Sequence, residues 1–129
     1  MGACYSVDLK VNVLDMPGAI QALNEHMAND TSADYSLEEY AEHGITTETF
    51  DDLIRILLAE LQRPVIIYKK GKFTIYSNDF DASYGWERVM MEWFEVLAPF
   101  LANGSQMLIY PDEDYDKLVI KNGKCVQMH

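Results

Sequence analysis

In the stretch "YPDEDYDK", residues 110–117, Asp112, Asp114 and Asp116 stand at every second position, with Glu113 between the first two. Alternating carboxylates are how a calcium loop begins, because a hard cation needs several oxygens converging from one turn. A loop of the EF-hand kind also needs glycine at its sixth position and a bidentate glutamate at its twelfth. Counted from Asp112, those positions hold Lys117 and Gly123, so the chemistry fails at both. Counting from Asp79 in "DFDASYGWERVM" gives Tyr84 and Met90 and fares no better. The stretch is therefore read as a Pro-Asp turn between strands, with Pro111 presetting φ and Asp112 bonding the local backbone. In that reading Asp116 pairs with Lys117 or Lys121. No metal site and no cofactor is expected.

Nucleophilic chemistry has little support. His26, His43 and His129 are far apart, and none shows ligand spacing with a cysteine or a second histidine. Cys4 falls on the polar side of a strand pattern, with nothing nearby to lower its pKa. Asp79 and Asp81 could form a small acidic site with Tyr84, against the plainer reading that Asp81 or Ser83 caps a following helix. The chain carries no glycine-rich phosphate loop, since "KKGK" and "KNGK" are turns. No catalytic residue is expected.

Charge is the strongest global signal. The 129 residues carry a formal net charge of −11, which opposes direct binding to nucleic acid and to anionic membranes. Between residues 25 and 60 there are ten acids and one base, Arg55. That segment loosely resembles a helix-turn-helix in outline, but an opening of Glu48, Asp51 and Asp52 would be repelled by phosphates. The same clustering suits a basic partner. The candidate partner-binding residues are Glu38, Glu39, Glu42, Glu48, Asp51 and Asp52, continued by Asp112, Glu113 and Asp114. Helix-terminal roles compete for some of them: Glu39 would close a capping box with Ser36, and Glu48, Asp51 and Asp52 suit a helix N-terminus. Six of the ten bases, Lys69, Lys70, Lys72, Lys117, Lys121 and Lys124, sit on two hairpins. On edge strands such lysines discourage sheet-to-sheet pairing; at one shared end of a sheet they would make the molecule dipolar.

Elements with clear periodicities position these groups. "CYSVDLKVNV" alternates, with Tyr5, Val7, Leu9, Val11 and Val13 on one side, which predicts a strand with one wet face. "DMPGAIQALNEHMAND" predicts a helix capped by Asp15, with Met16, Ile20, Leu23 and Met27 at helical spacing. Residues 36–44 predict a short helix, and residues 45–64 a second one striped with Phe50, Leu53, Ile54, Leu57, Leu58 and Leu61. "VIIYKKGKFTIYS" predicts a hairpin turning at Lys70-Gly71. "DFDASYGWERVMMEWFEVLAPFLANG" predicts a helix whose aromatics fall on a core stripe of about 160° and whose last turns Pro99 disturbs. Met91, Ala98 and Ile56 fall off their stripes and, if exposed together, would mark a contact patch. "SQMLIYP", "DKLVIK" and "KCVQM" predict a meander, its last turn a type I′ turn at Asn122-Gly123.

This order predicts a single α+β domain over residues 1–129. It has one sheet of five to six mostly antiparallel strands, a βαββαβ-like core of ferredoxin-like order plus a C-terminal hairpin, helices on one face and a helical insertion at about 36–62. No segment reads as a membrane span or a signal peptide, and the Met-Gly start matches a myristoylation pattern only at Ser6. With two cysteines and no secretory signal, reduced thiols in a cytoplasmic protein are expected, with a Cys4–Cys125 disulfide left open. Two functional readings follow. The leading one is a small acidic non-catalytic interaction module, such as an inhibitor, immunity or phage-type anti-defence protein, acting on a basic protein surface. The alternative is a small-ligand-binding domain or small enzyme with a pocket between the sheet and the inserted helices. A homodimer through an outer strand stays open.

Overall fold

The structure, a computed structural model, describes residues 2–31, 33–110 and 116–128. The elements run β1 (Gly2–Val11), α1 (Met16–Asn29), α2 (Leu37–Glu42), α3 (Phe50–Leu57), β2 (Ile66–Lys70), β3 (Phe73–Ser83), α4 (Trp86–Leu97), β4 (Gln106–Tyr110), β5 (Asp116–Lys121) and β6 (Lys124–Met128). All six strands form one antiparallel sheet in the order β2-β3-β1-β4-β5-β6. The first four strands with α1 and α4 reproduce the split βαβ arrangement, in which β3 lies between β2 and β1. The fold is α+β, with α2 and α3 inserted between α1 and β2.

Alternation in β1 decides which side of the sheet is dry. Tyr5, Val7, Leu9 and Val11 are buried in the core, while Cys4 and Asp8 are exposed. Against that apolar face pack Ala19, Leu23 and Met27 of α1, Phe50, Leu53, Ile54 and Leu57 of α3, and Val89, Met90, Trp93, Phe94 and Leu97 of α4. Trp93 is wholly buried and its indole N–H donates to the Tyr35 hydroxyl at 3.2 Å, so the largest core side chain leaves no polar atom unmet. No described helix is long and apolar enough to cross a membrane.

Several local signals act as their chemistry dictates. Asp15 accepts from the Gly18 backbone N–H at 3.1 Å, and Thr49 accepts from that of Asp52 at 3.2 Å, each satisfying an orphan helix donor. Asn122 and Gly123 both have positive φ, 53° and 74°, the conformation a type I′ turn demands. Pro99 falls in a single 3-10 turn over Ala98–Phe100 that ends α4.

Other expectations are overturned. Ser36 and Glu39 form no capping box: Ser36 sits at φ 54°, its side chain makes no cap bond, and its N–H donates instead to Asp34 Oδ1 at 3.0 Å. The segment expected to open the fourth helix at Asp79 is strand, because β1 reaches back to Gly2 and offers pairing partners out to Ser83. Neither Asp81 nor Ser83 caps α4, whose N-cap position is Gly85, at φ 94° and with no side-chain cap. The stripe of α1 includes Ala19 and leaves Met16 exposed.

The stripe expected to reach Leu61 breaks earlier, and α3 stops at Leu57. Buried Asn78 draws the chain round by donating to the carbonyls of Leu58 (2.6 Å) and Arg63 (2.9 Å). Ala59 adopts φ 58° in that turn. Ile56 and Ala98, expected to flank the stripes, are 3% exposed each, so no contact patch forms from them. Ile56 lies within α3 and lines a depression with Tyr35, Tyr40 and Trp86, and Ala98 falls in the 3-10 turn after Leu97.

Candidate interaction surface

The register of the strands sorts the charges along the sheet. Both hairpin turns lie beyond the C-terminal end of β1: Val11 is opposite Thr74, which is opposite Lys69, and Lys10 is opposite Gln106, which is opposite Val119. Lys69, Lys70, Lys121 and Lys124 therefore gather at one end. Lys10 points the same way, its ammonium 4.7 Å from the Phe73 ring centre. Lys117 is opposite Leu108, nearer the middle. The other end carries Asp79 and Asp81, opposite Ser6 and Cys4. The dipolar arrangement expected if the two hairpins shared an end is what the topology produces.

Helix α2 belongs to the acidic end. A groove of about 240 Å³ runs between it and the end of β3, lined by Ser36 and Tyr40 on one side and Asp81, Ser83 and Trp86 on the other. A second depression of about 150 Å³ shares Asp34, Ser83 and Trp86 with it and is bordered by Tyr84. Leu37 and Tyr84 are exposed, 41% and 67%. Large apolar side chains beside a groove are the usual anchors of an interface.

The candidate carboxylates divide into two kinds. Glu38, Glu39, Glu42 and Glu48 are exposed, and none forms an ion pair with a described residue. With no capping box, Glu39 is not consumed at the start of α2. Asp51 and Asp52 are engaged internally. Asp51 accepts from the phenol of buried Tyr76 at 2.5 Å. Asp52 accepts from the Thr46 N–H at 3.2 Å and from Arg55 at 2.9 Å. Arg55, the one base of residues 25–60, is also 3.3 Å from Glu60, so it neutralises α3 and its exit rather than α2. Asp112, Glu113 and Asp114 lie outside the described residues.

The open sheet face holds a pattern that sequence reading passed over. Three successive cross-strand pairs of β1 and β3 join a hydroxyl or thiol to a carboxylate. Cys4 Sγ donates to Asp81 at 2.9 Å, Ser6 Oγ to Asp79 at 2.6 Å, and Ser77 Oγ to Asp8 at 2.5 Å. Arg63 stands 3.5 Å from Asp79, and a depression of about 250 Å³ is lined by Cys4, Ser6, Gln62, Arg63, Asp79 and Asp81 among others. No described histidine lines it, so the serine and cysteine have a hydrogen-bonded carboxylate but no general base between. Only the register reveals this ladder, because its partners are separated by 69 to 77 residues. Tyr84 does not join the acid pair; it stands at the edge of the neighbouring depression.

Cys4 and Cys125 are not paired with each other. Cys4 is on the open face, whereas Cys125, opposite Ile120, faces the helices, so β4 and β5 and the sheet itself separate them. Burial, and then the carboxylate of Glu95, push the Cys125 thiol up, which makes it a poor nucleophile. The histidines are also sorted by the fold. His43 caps the end of α2 with its Nδ1 3.0 Å from the Glu39 carbonyl, while His26 of α1 faces Asp30 and, from α4, Glu92. No family model, no curated protein and no solved structure matches this chain.

Proposed function

We propose that this protein is a small acidic, non-catalytic interaction module that seats a basic protein surface on α2 and on the groove between α2 and the end of β3. Its support is the bare carboxylate row Glu38, Glu39 and Glu42, exposed and without ion-paired partners among the described residues, beside exposed Leu37 and Tyr84. An arginine or lysine entering the groove would meet Asp34 and Asp81, which offer charge-assisted hydrogen bonds, beside the indole of Trp86. The lysine turns at the far end of the sheet sharpen the field, so a basic surface is drawn to the acidic end and turned away from the other. An inhibitor, immunity or phage-type anti-defence role would each use a surface of this kind to mask a basic one. Cys4 and Cys125, on opposite sides of the sheet and not paired with each other, suit a reducing, cytoplasmic setting.

A second reading uses the same groove for a small cationic ligand. Its volume of about 240 Å³ falls below the ~300–1,000 Å³ of most ligand sites, which favours the protein partner. The test is affinity capture from host lysate at low and at high salt, using the wild type and a Glu38→Lys, Glu39→Lys, Glu42→Lys triple variant. A basic protein retained by the wild type at low salt, and lost with salt or with the triple variant, is the expected result. Capture that ignores both salt and the charge reversal overturns the reading, as does the absence of any captured protein.

A further inference from the structure

Independently of that surface, we propose that His26, Asp30 and Glu92 form a binding site for a divalent transition-metal ion of the zinc class, clipping the end of α1 to α4. Each residue offers one ligand atom, and the three atoms lie within 4.8 Å of one another. Tetrahedral zinc holds nitrogen and oxygen ligands at about 2.0–2.2 Å, hence about 3.3–3.6 Å from each other. Binding therefore draws all three ligand atoms inward, including His26 Nε2 and Asp30 Oδ2, which stand 4.0 Å apart.

The second observation is the imidazole itself. His26 Nε2 is buried, yet it has no hydrogen-bond partner, and the nearest carboxylate oxygen, Asp30 Oδ2, stands 4.0 Å away, beyond hydrogen-bond reach. A buried ring nitrogen facing two carboxylates across such a gap is satisfied by a cation placed between them. The carboxylate is also held as a metal ligand usually is. Asp30 Oδ2 accepts from the Tyr35 phenol at 2.8 Å, and Tyr35 in turn accepts from Trp93 at 3.2 Å, so a hydrogen-bonded chain from the core fixes its orientation.

One imidazole with two carboxylates selects zinc-class ions over calcium or magnesium, which take oxygen ligands. A surface depression of about 400 Å³ lined by His26, Glu92, Glu95 and Val96 gives the ion a way in and leaves room for water on its open side. Arg88, 3.7 Å from Glu92, is the cation that the metal displaces from that carboxylate.

The experiment is titration of the purified chain with Zn²⁺ alone by calorimetry, with Co²⁺ absorption reporting coordination geometry. Long-range ¹H–¹⁵N spectra identify which imidazole binds. One equivalent is expected to bind with tetrahedral Co²⁺ bands and a shift of the His26 ring nitrogens. Affinity should fall about tenfold or more in His26→Ala and Glu92→Gln and stay unchanged in His43→Ala. Circular dichroism checks that each variant is folded, and the wild-type histidine spectra decide the matter should one fail to fold. No uptake of Zn²⁺, a shift of His43 or His129 in place of His26, or equal affinity in the wild type and folded Glu92→Gln overturns the site.

Discussion

The acids that open α3 and those along α2 look alike in the chain and differ in what they do. Asp51 and Asp52 follow an N-cap threonine and turn inward to bonds with Tyr76, Thr46 and Arg55. Glu38, Glu39 and Glu42 follow a serine that does not cap, and they extend into solvent from a six-residue helix. A carboxylate's role is set by whether a donor is held within reach, and local charge density does not reveal that. The first group contributes to the fold, and the second leaves its charge available to a partner.

The largest break in that contrast is Asp51→Ala. It strands the buried Tyr76 hydroxyl, and we expect a loss of about 1–3 kcal/mol in urea denaturation. Tyr76→Phe removes the buried donor and leaves only the exposed Asp51 carboxylate, which water can reach, so it should cost less than Asp51→Ala; an equal or larger cost would show that the bond itself, rather than the stranded donor, carries the effect. Next comes Thr49→Ala, which uncaps α3 and should cost about 1 kcal/mol in the same assay.

A pH experiment sharpens the contrast from the phenol side. Burial, and then the bond to Asp51, push the Tyr76 phenol up, and burial first likewise pushes Tyr35 up to about 12. Both phenols ordinarily titrate near 10. Their folded pKa values lie above the unfolded ones, so the stability they contribute is fully present below about pH 10 and is lost as pH rises through the folded values. Melting temperature should fall steeply between about pH 10 and 12, and Tyr35→Phe should flatten that slope. The smallest effect belongs to Glu38→Gln, Glu39→Gln, Glu42→Gln, which should leave stability within about 0.5 kcal/mol of wild type. A larger loss would show that the α2 acids also hold the fold.

Much of the architecture was legible because local chemistry dictates it. The alternation of β1, the stripe of α4 and the Asn122-Gly123 turn each follow from a period or a φ requirement within a few residues. What escaped depends on distant partners. Residues 79–83 read as the approach to a helix until β1 supplies their pairing; Leu57 ends α3 because Asn78 binds the carbonyls beyond it; Ile56 is buried among residues of other elements, and Ala98 in a 3-10 turn its stripe does not encode. Ser36 followed at three residues by Glu39 satisfied a capping pattern, but the backbone entered left-handed and the Asp34 side chain took the serine N–H. The candidate acids of α2 were named from composition, whereas the His26–Asp30–Glu92 cluster needed α1 and α4 packed side by side, since 62 residues separate its last two members in sequence.

Consider, finally, the two hairpin turns at one end of the sheet in a concentrated solution of this protein. Opposite ends of two copies attract, and like ends repel, so the favoured encounter is head to tail. Such a contact does not close on itself; it uses two different surfaces and propagates as an open string. A symmetric pair must instead juxtapose like charges or meet along an edge strand. The overall charge of −11 holds copies apart at long range, and salt weakens that repulsion and the end-to-end attraction together. The polarity of the sheet thus sets the geometry in which the chain can meet itself.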